Sequence, residues 1–269
     1  MTATAHELDT LMTIPEACIQ DFRRQGFVHL RDVLPRETLT QWRQIIADVA
    51  HRANRQTLPL EQRGTYGKAF LQTTNLWEKH PEVRPFVFSK RLADIARQLL
   101  GTAGVRLYHD QALFKEAGGG HTPWHADQYY WPLATPQTVT AWIPLVDCPL
   151  TMGPLAFSVG SHHVEAGRDL HISDDSERVI GELLEQKRLE FYEQPFDLGD
   201  VSFHYGWTFH RAGPNTSDQE RTVMTMIYID RDMTIQEPVN QHQQNDWRRW
   251  CPGTEIGGLA DSQLNPILV

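Results

Sequence analysis

Val105-Arg106-Leu107-Tyr108-His109-Asp110-Gln111-Ala112-Leu113-Phe114 is the stretch that decides the fold class. Upstream of it, apolar residues recur at helical spacing. From about residue 104 the pattern changes to alternating, strand-length runs bounded by Gly and Pro. Residues 139–146, 155–159, 201–204 and 222–229 repeat that pattern. Many short strands after a helical preface predict a mainly β chain with helical decorations, a jelly-roll or cupin-type barrel whose mouth is a usual ligand site.

Working outward, residues 15–25 read as a short helix with Pro15 at its start and Gly26 at its end, followed by a strand over 27–30. Pro35 opens a second helix with Leu39, Trp42, Ile45, Ile46 and Val49 on one face. Residues 81–100 predict a third, striped by Val83, Phe86, Val87, Leu92, Ile95 and Leu99 and stopped by Gly101. The acidic, polar residues 173–186 predict a loop or helix inserted over the sheet. From residue 231 the chain is polar and reads as loop, carrying Trp247, Trp250 and Pro252-Gly253. No repeat or low-complexity linker divides it, so residues 1–269 are expected to form one domain. Its parts are a helical segment over 1–103, a β core over 104–230 and a tail over 231–269.

Composition narrows the function classes. A content of 40% hydrophobic and 22% charged residues suits a sizeable buried core. No apolar run approaches the length of a membrane span, and residues 1–13 lack the basic flank and apolar centre of a signal peptide. Cys18, Cys148 and Cys251 are too few and too far apart for a disulfide framework or a CxxC zinc site, which points to a reducing cytoplasm. A formal net charge of −9 without a basic tract argues against nucleic acid or an anionic membrane as partner. Arg248-Arg249, between two tryptophans, reads as a surface stack.

The chemistry begins at His125-Ala126-Asp127. Of 13 histidines, three stand two positions before an acid, and context separates them. His80-Pro81-Glu82 opens a helical pattern, and His163 lies in a turn after a strand. His125-Ala126-Asp127 follows Gly118-Gly119-Gly120 and leads into Tyr129-Tyr130-Trp131. Residues two apart in extended chain face the same way, so both donors can reach one ion. With His210 they supply the two imidazoles and one carboxylate of a facial triad for non-haem Fe(II), which leaves positions open for a 2-oxo acid and O2. Arg221 enters the apolar run Thr222-Val223-Met224-Thr225-Met226, where its guanidinium could hold a dicarboxylate co-substrate by a bidentate pair. Zinc also accepts His and Asp, so zinc hydrolysis competes at this level, although HExxH is absent. No phosphate loop follows the glycines, and no Gly-x-Ser-x-Gly elbow occurs.

A longer set of residues resembles the phytanoyl-CoA dioxygenase family. It runs from Gly26-Phe27-Val28 … Asp32-Val33-Leu34, through Phe114-Lys115 and Trp124–Pro132, to Ala141-Trp142-Ile143-Pro144-Leu145 and Gly153-Pro154-Leu155 … Gly160-Ser161-His162. It continues in Gly199-Asp200-Val201 and His210-Arg211-Ala212-Gly213-Pro214-Asn215 … Arg221. The resemblance implies a double-stranded β-helix and an Fe(II)- and 2-oxoglutarate-dependent oxygenase using O2. It assigns iron ligation and catalysis to His125, Asp127 and His210, and co-substrate binding to Arg221, Trp142, Gln111 and Lys115. Thr151-Met152 stands where the family often has Asn, which affects a turn contact. Asp127 argues against halogenation, for which related enzymes replace the acid by a small residue.

Tyr129, Tyr130, Trp131, His204 and Trp207 flank the ligands and are candidates for the wall of the substrate pocket. Such a wall suits a small, hydrophobic, natural-product-like molecule. An acyl-CoA substrate for the same chemistry and a non-catalytic small-molecule-binding barrel are the alternatives. Hydroxylation, epimerisation, desaturation and cyclisation share one oxidant, and the residues do not choose among them. Oligomeric state is likewise left open.

Overall fold

The computed structural model describes residues 3–269. Among the described residues ten strands form two antiparallel sheets: β1 (Phe27–Leu30), β2 (Leu71–Thr74), β3 (Val105–Lys115), β4 (Thr122–His125), β5 (Thr138–Pro144), β6 (Leu155–Ser158), β7 (Phe191–Glu193), β8 (Val201–Tyr205), β9 (His210–Ala212) and β10 (Arg221–Asp230). The larger sheet has the order β1-β8-β5-β10-β3-β2 and the smaller the order β4-β9-β6-β7. Strands far apart in sequence become neighbours, as a jelly roll requires. The mainly β, double-stranded β-helix architecture is therefore present, with its helices as decorations.

Pleating explains how the larger sheet serves two purposes at once. Along β5, Val139, Ala141 and Ile143 join the main hydrophobic core, whereas Thr140 and Trp142 line a cavity between the sheets. Along β10, Met224, Met226 and Tyr228 lie in the core while Arg221, Thr225 and Ile227 line the cavity. Successive side chains of a strand point to opposite faces, so one sequence builds both a core layer and a site layer.

Helices pack on the core face, against β4 of the smaller sheet and beside the cavity. They are α1 (Ala3–Asp9), α2 (Glu16–Gln25), α3 (Arg36–Ala53), α4 (Thr65–Ala69), α5 (Leu76–Lys79), α6 (Arg84–Val87), α7 (Lys90–Leu100), α8 (Asp174–Gln186) and α9 (Gln241–Trp250). Leu39, Trp42, Ile46 and Val49 of α3 are buried with Leu92, Ile95 and Leu99 of α7 in the same cluster as the outward residues of the sheet. Gly101, at φ +70°, ends α7 in the left-handed conformation that glycine adopts without strain. No helix among the described residues is long and apolar enough to cross a membrane.

Four expectations need correction. The helix expected over 81–100 is two helices, because Ser89 ends the first and caps the second. Its hydroxyl accepts from Leu92 N at 3.3 Å and donates to Leu8 O at 2.9 Å. The segment before residue 104 adds a second strand to the expected one over 27–30: β1 and β2 form the two edges of the larger sheet. The tail is not all loop: α9 starts at Asn240, whose side chain accepts from Gln243 N. Finally, β2, β4, β7 and β9 had not been anticipated; each has only three or four residues, too short for alternation to register.

Ser89→Ala removes both an N-cap and a buried tertiary bond and is expected to lower stability by about 1–2 kcal/mol. Equilibrium urea unfolding measures this, and an unchanged midpoint would contradict the described break between α6 and α7.

Candidate metal centre and cavity

The centre is assembled by strand register. In the antiparallel pair of β4 and β9, His125 lies directly opposite His210. Their rings are 4.1 Å apart between centroids. Asp127 opens the single 3-10 turn that follows β4. Its Oδ1 is 3.7 Å from His125 Nε2 and 3.7 Å from His210 Nε2. Those separations exceed a hydrogen bond, and the three ligand atoms all lie within 4.8 Å of one another.

Surrounding hydrogen bonds prepare each atom for a cation. His125 Nδ1–H donates to Pro123 O at 2.7 Å, and His210 Nδ1–H donates to Thr208 O at 2.9 Å. Each imidazole therefore keeps its bare lone pair on Nε2, as a metal ligand must. Asp127 Oδ2 accepts from Thr140 Oγ1 at 2.9 Å and from His204 Nε2 at 3.3 Å, which leaves Oδ1 free. Burial, and then the facing ring of His210, lower His125 to about 4. Burial also lowers His210 to about 4, against the opposing pull of Asp127. Burial alone would raise the Asp127 carboxyl, but His210, the His204 hydrogen bond and His125 outweigh it and hold the group well below the usual carboxylate range. At neutral pH the set is thus two neutral imidazoles and one carboxylate, a donor set that fits Fe(II).

These donors open onto a cavity of about 440 Å³ that Arg221 and Trp142 also line. Arg221 is 2% exposed, and among the described residues the only hydrogen bond of its side chain goes from a terminal nitrogen to Gly153 O. Its Nε is buried without a partner. The guanidinium carbon sits 5.5 Å from the Trp142 ring centroid. Among the described residues no carboxylate pairs with it. A buried cation without a counter-ion is costly, so the arrangement calls for an anion in the cavity.

The remaining sequence candidates divide. Gln111, Tyr130, Trp131 and His204 line the cavity. Lys115 does not; its Nζ donates to Gly120 O at 2.6 Å and Gly213 O at 2.8 Å, tying the glycine loop to the segment after β9. Burial, then the charge of Arg221, lower this amine to about 6. Tyr129 and Trp207, expected in the wall, do not line it either. Tyr129 packs edge-on to Tyr130, and Trp207 lies beneath the Arg168 guanidinium at 4.6 Å.

His204 does more than line a wall, because it fixes the carboxylate through Oδ2. The sequence reading also missed one side of the cavity, formed by Tyr66, Phe70, His109, His171 and the α9 residues His242, Asp246, Arg249 and Trp250. Burial raises the Asp246 carboxyl to about 7. A signal for α9 did exist in the Asn240 cap and the i, i+3 pair Trp247 and Trp250. Its otherwise polar composition hid it.

Over residues 22–223 the chain matches the family described as phytanoyl-CoA dioxygenase (PhyH). A curated relative from Stutzerimonas stutzeri, a probable alpha-ketoglutarate-dependent hypophosphite dioxygenase, is 29% identical over 154 residues, 54% of this chain and 52% of that protein. The chain thus aligns with about half the length of that relative. Among solved structures, the non-heme alpha ketoglutarate dependent carbocyclase SnoK from nogalamycin biosynthesis is 27% identical at a TM-score of 0.78, covering 97% of this chain and 100% of that one. The epimerase SnoN, solved with Fe3+, alpha ketoglutarate and nogalamycin RO, is 24% identical at a TM-score of 0.74, covering 94% and 98%. At that identity the likeness to SnoN is one of fold.

Two outcomes are expected. Mn(II) affinity should stay nearly flat from neutral pH down to about pH 5 and fall as pH drops through about 4, where the imidazoles gain protons. A decline that starts at the ordinary imidazole value of 6.5 would contradict this environment. His204→Phe should weaken Mn(II) binding by roughly 10- to 100-fold in chelator competition, since it frees the carboxylate to rotate. Unchanged affinity would remove His204 from that role.

Proposed function

The chain belongs to the phytanoyl-CoA dioxygenase family, and from that premise we propose that it is an Fe(II)- and 2-oxoglutarate-dependent oxygenase acting on a C–H bond of a small molecule. One observation carries the reading: His125, Asp127 and His210 converge on the same cavity into which a buried, uncompensated Arg221 is built.

In this reading His125 Nε2, Asp127 Oδ1 and His210 Nε2 hold the metal, and their backbone and side-chain partners keep them oriented. Bound Fe(II) supplies the redox chemistry, whose balance for hydroxylation is R–H + O2 + 2-oxoglutarate → R–OH + succinate + CO2. Arg221 neutralises the distal carboxylate of 2-oxoglutarate with its planar fork. Trp142 covers the guanidinium, and Gln111 offers an amide to the same co-substrate. Tyr130, Trp131 and Trp250 give the substrate an apolar, aromatic wall that excludes water from the reacting carbon.

The substrate class is a hydrophobic, natural-product-like molecule. The aromatic wall supports it, as does the likeness to a carbocyclase of nogalamycin biosynthesis. The same oxidant serves hydroxylation, epimerisation or cyclisation, depending on which atom the cavity presents to it.

Succinate release, measured with Fe(II), O2 and 2-oxoglutarate, tests the proposal. The wild-type protein should form succinate only when all three are present, and His125→Ala or Asp127→Ala should abolish it. Arg221→Ala should raise the KM for 2-oxoglutarate by about 10- to 100-fold, as loss of a charged hydrogen-bond pair worth about 1.5–3 kcal/mol requires. Succinate formed equally well by Asp127→Ala, or without O2, would contradict the assignment.

A further inference from the structure

A second depression opens off the cavity. It is a groove of about 850 Å³ beside the edge strand β2, and Tyr66, Phe70, Gln72, Thr74 and Arg249 line both spaces. Beyond these shared walls the groove carries Arg52, Arg55, Lys79 and His80, and no Asp or Glu among the described residues lines it. A purely cationic groove is an unusual feature in a chain of formal net charge −9.

Helix dipoles favour cations in the last turns of α3 and α5, which accounts for Arg52 and Lys79. The same holds for Arg249, in the last turn of α9, which arrives from the other end of the chain, but not for Arg55, which follows α3. Internal ion pairs do not neutralise the set either. Among the described residues Arg55 and Lys79 have no ion pair. Arg52 and His80 share Glu82 at 3.8 and 3.9 Å. Arg249 donates to the Thr74 hydroxyl at 2.7 Å. Three separate segments therefore bring cations to the rim of the cavity; Arg249 stands near the Asp246 carboxyl, and Arg55 and Lys79 are the ones without an ion pair among the described residues.

We propose that this groove binds an oxyanion of the substrate, a carboxylate or a phosphate ester, while the carbon to be oxidised lies in the cavity. Guanidinium forks match both anions in geometry. The proposal rests on the oxygenase reading and narrows its substrate to a molecule with an apolar body and an anionic arm. It also offsets the argument against anionic substrates drawn from the lack of a basic tract, since the cations are contiguous only after folding.

The test titrates three probes of one shape, 2-naphthyl phosphate, 2-naphthoate and uncharged 2-naphthol, into protein loaded with Mn(II) and 2-oxoglutarate, with calorimetry as the readout. At low salt the anions should bind roughly tenfold tighter than naphthol, and the advantage should shrink at high salt as screening predicts. In Arg55→Glu/Lys79→Glu the advantage should disappear. Phosphate ahead of carboxylate identifies a phosphate ester as the source, and equal affinity identifies a carboxylate as sufficient. Anions that bind no better than naphthol, including no binding by any of the three, overturn the proposal. So does an advantage that survives in the double variant. Substrate-independent succinate formation and 2-oxoglutarate affinity are read on the same proteins. Both should be unchanged in the double variant, and their absence from the wild type would contradict the oxygenase reading while leaving the anion preference a separate result.

Discussion

The register between β4 and β9 is the constraint on which the centre depends. Because His125 and His210 are paired across two antiparallel strands, their imidazoles stand on the same face with no freedom to drift. A slip of one residue would send one ring to the opposite face. The Nδ1–H bonds to the carbonyls of Pro123 and Thr208 then select the tautomer, and Asp127 enters at the first residue of the turn that ends β4. Backbone geometry places all three donors, and side-chain packing only refines them.

The opposing sheet adds what the smaller one lacks. Thr140 and His204 reach across from β5 and β8 to hold Asp127 Oδ2, and Arg221 begins β10. The site is thus a seam between layers, consistent with the position of ligand sites in barrels of this kind. Arg221 illustrates the energetic logic. Its burial without a counter-ion is unfavourable for folding, and the main core under α3 and α7 offsets that cost. A protein retains such a group where a ligand completes it.

Much of this could be read from the sequence, for specific reasons. Strands β3, β5 and β10 are long enough for apolar alternation to stand out. His125, Asp127, His210 and Arg221 are chemically distinctive and were picked out as a set. The supporting pieces were harder. Strands β4 and β9 contain Pro123 and Arg211 and span only four and three residues. Ser89 divides a helix whose apolar stripe continues through the break. The α9 wall has few buried apolar residues, so its role depends on contacts rather than composition. Tyr129 and Trp207 sit close to ligands in sequence, but neighbours along a strand or turn alternate in direction, and proximity in sequence did not translate into a place in the wall. The cations of Arg52, Arg55, Lys79 and Arg249 become one feature only when three segments fold together.

The most direct test is anomalous diffraction from crystals of the protein grown with Mn(II) and 2-oxoglutarate. One metal peak should lie within coordination distance of His125 Nε2, Asp127 Oδ1 and His210 Nε2, with the far carboxylate of the oxo acid against Arg221. A metal held by other donors, or an oxo acid bound away from Arg221, would contradict the account.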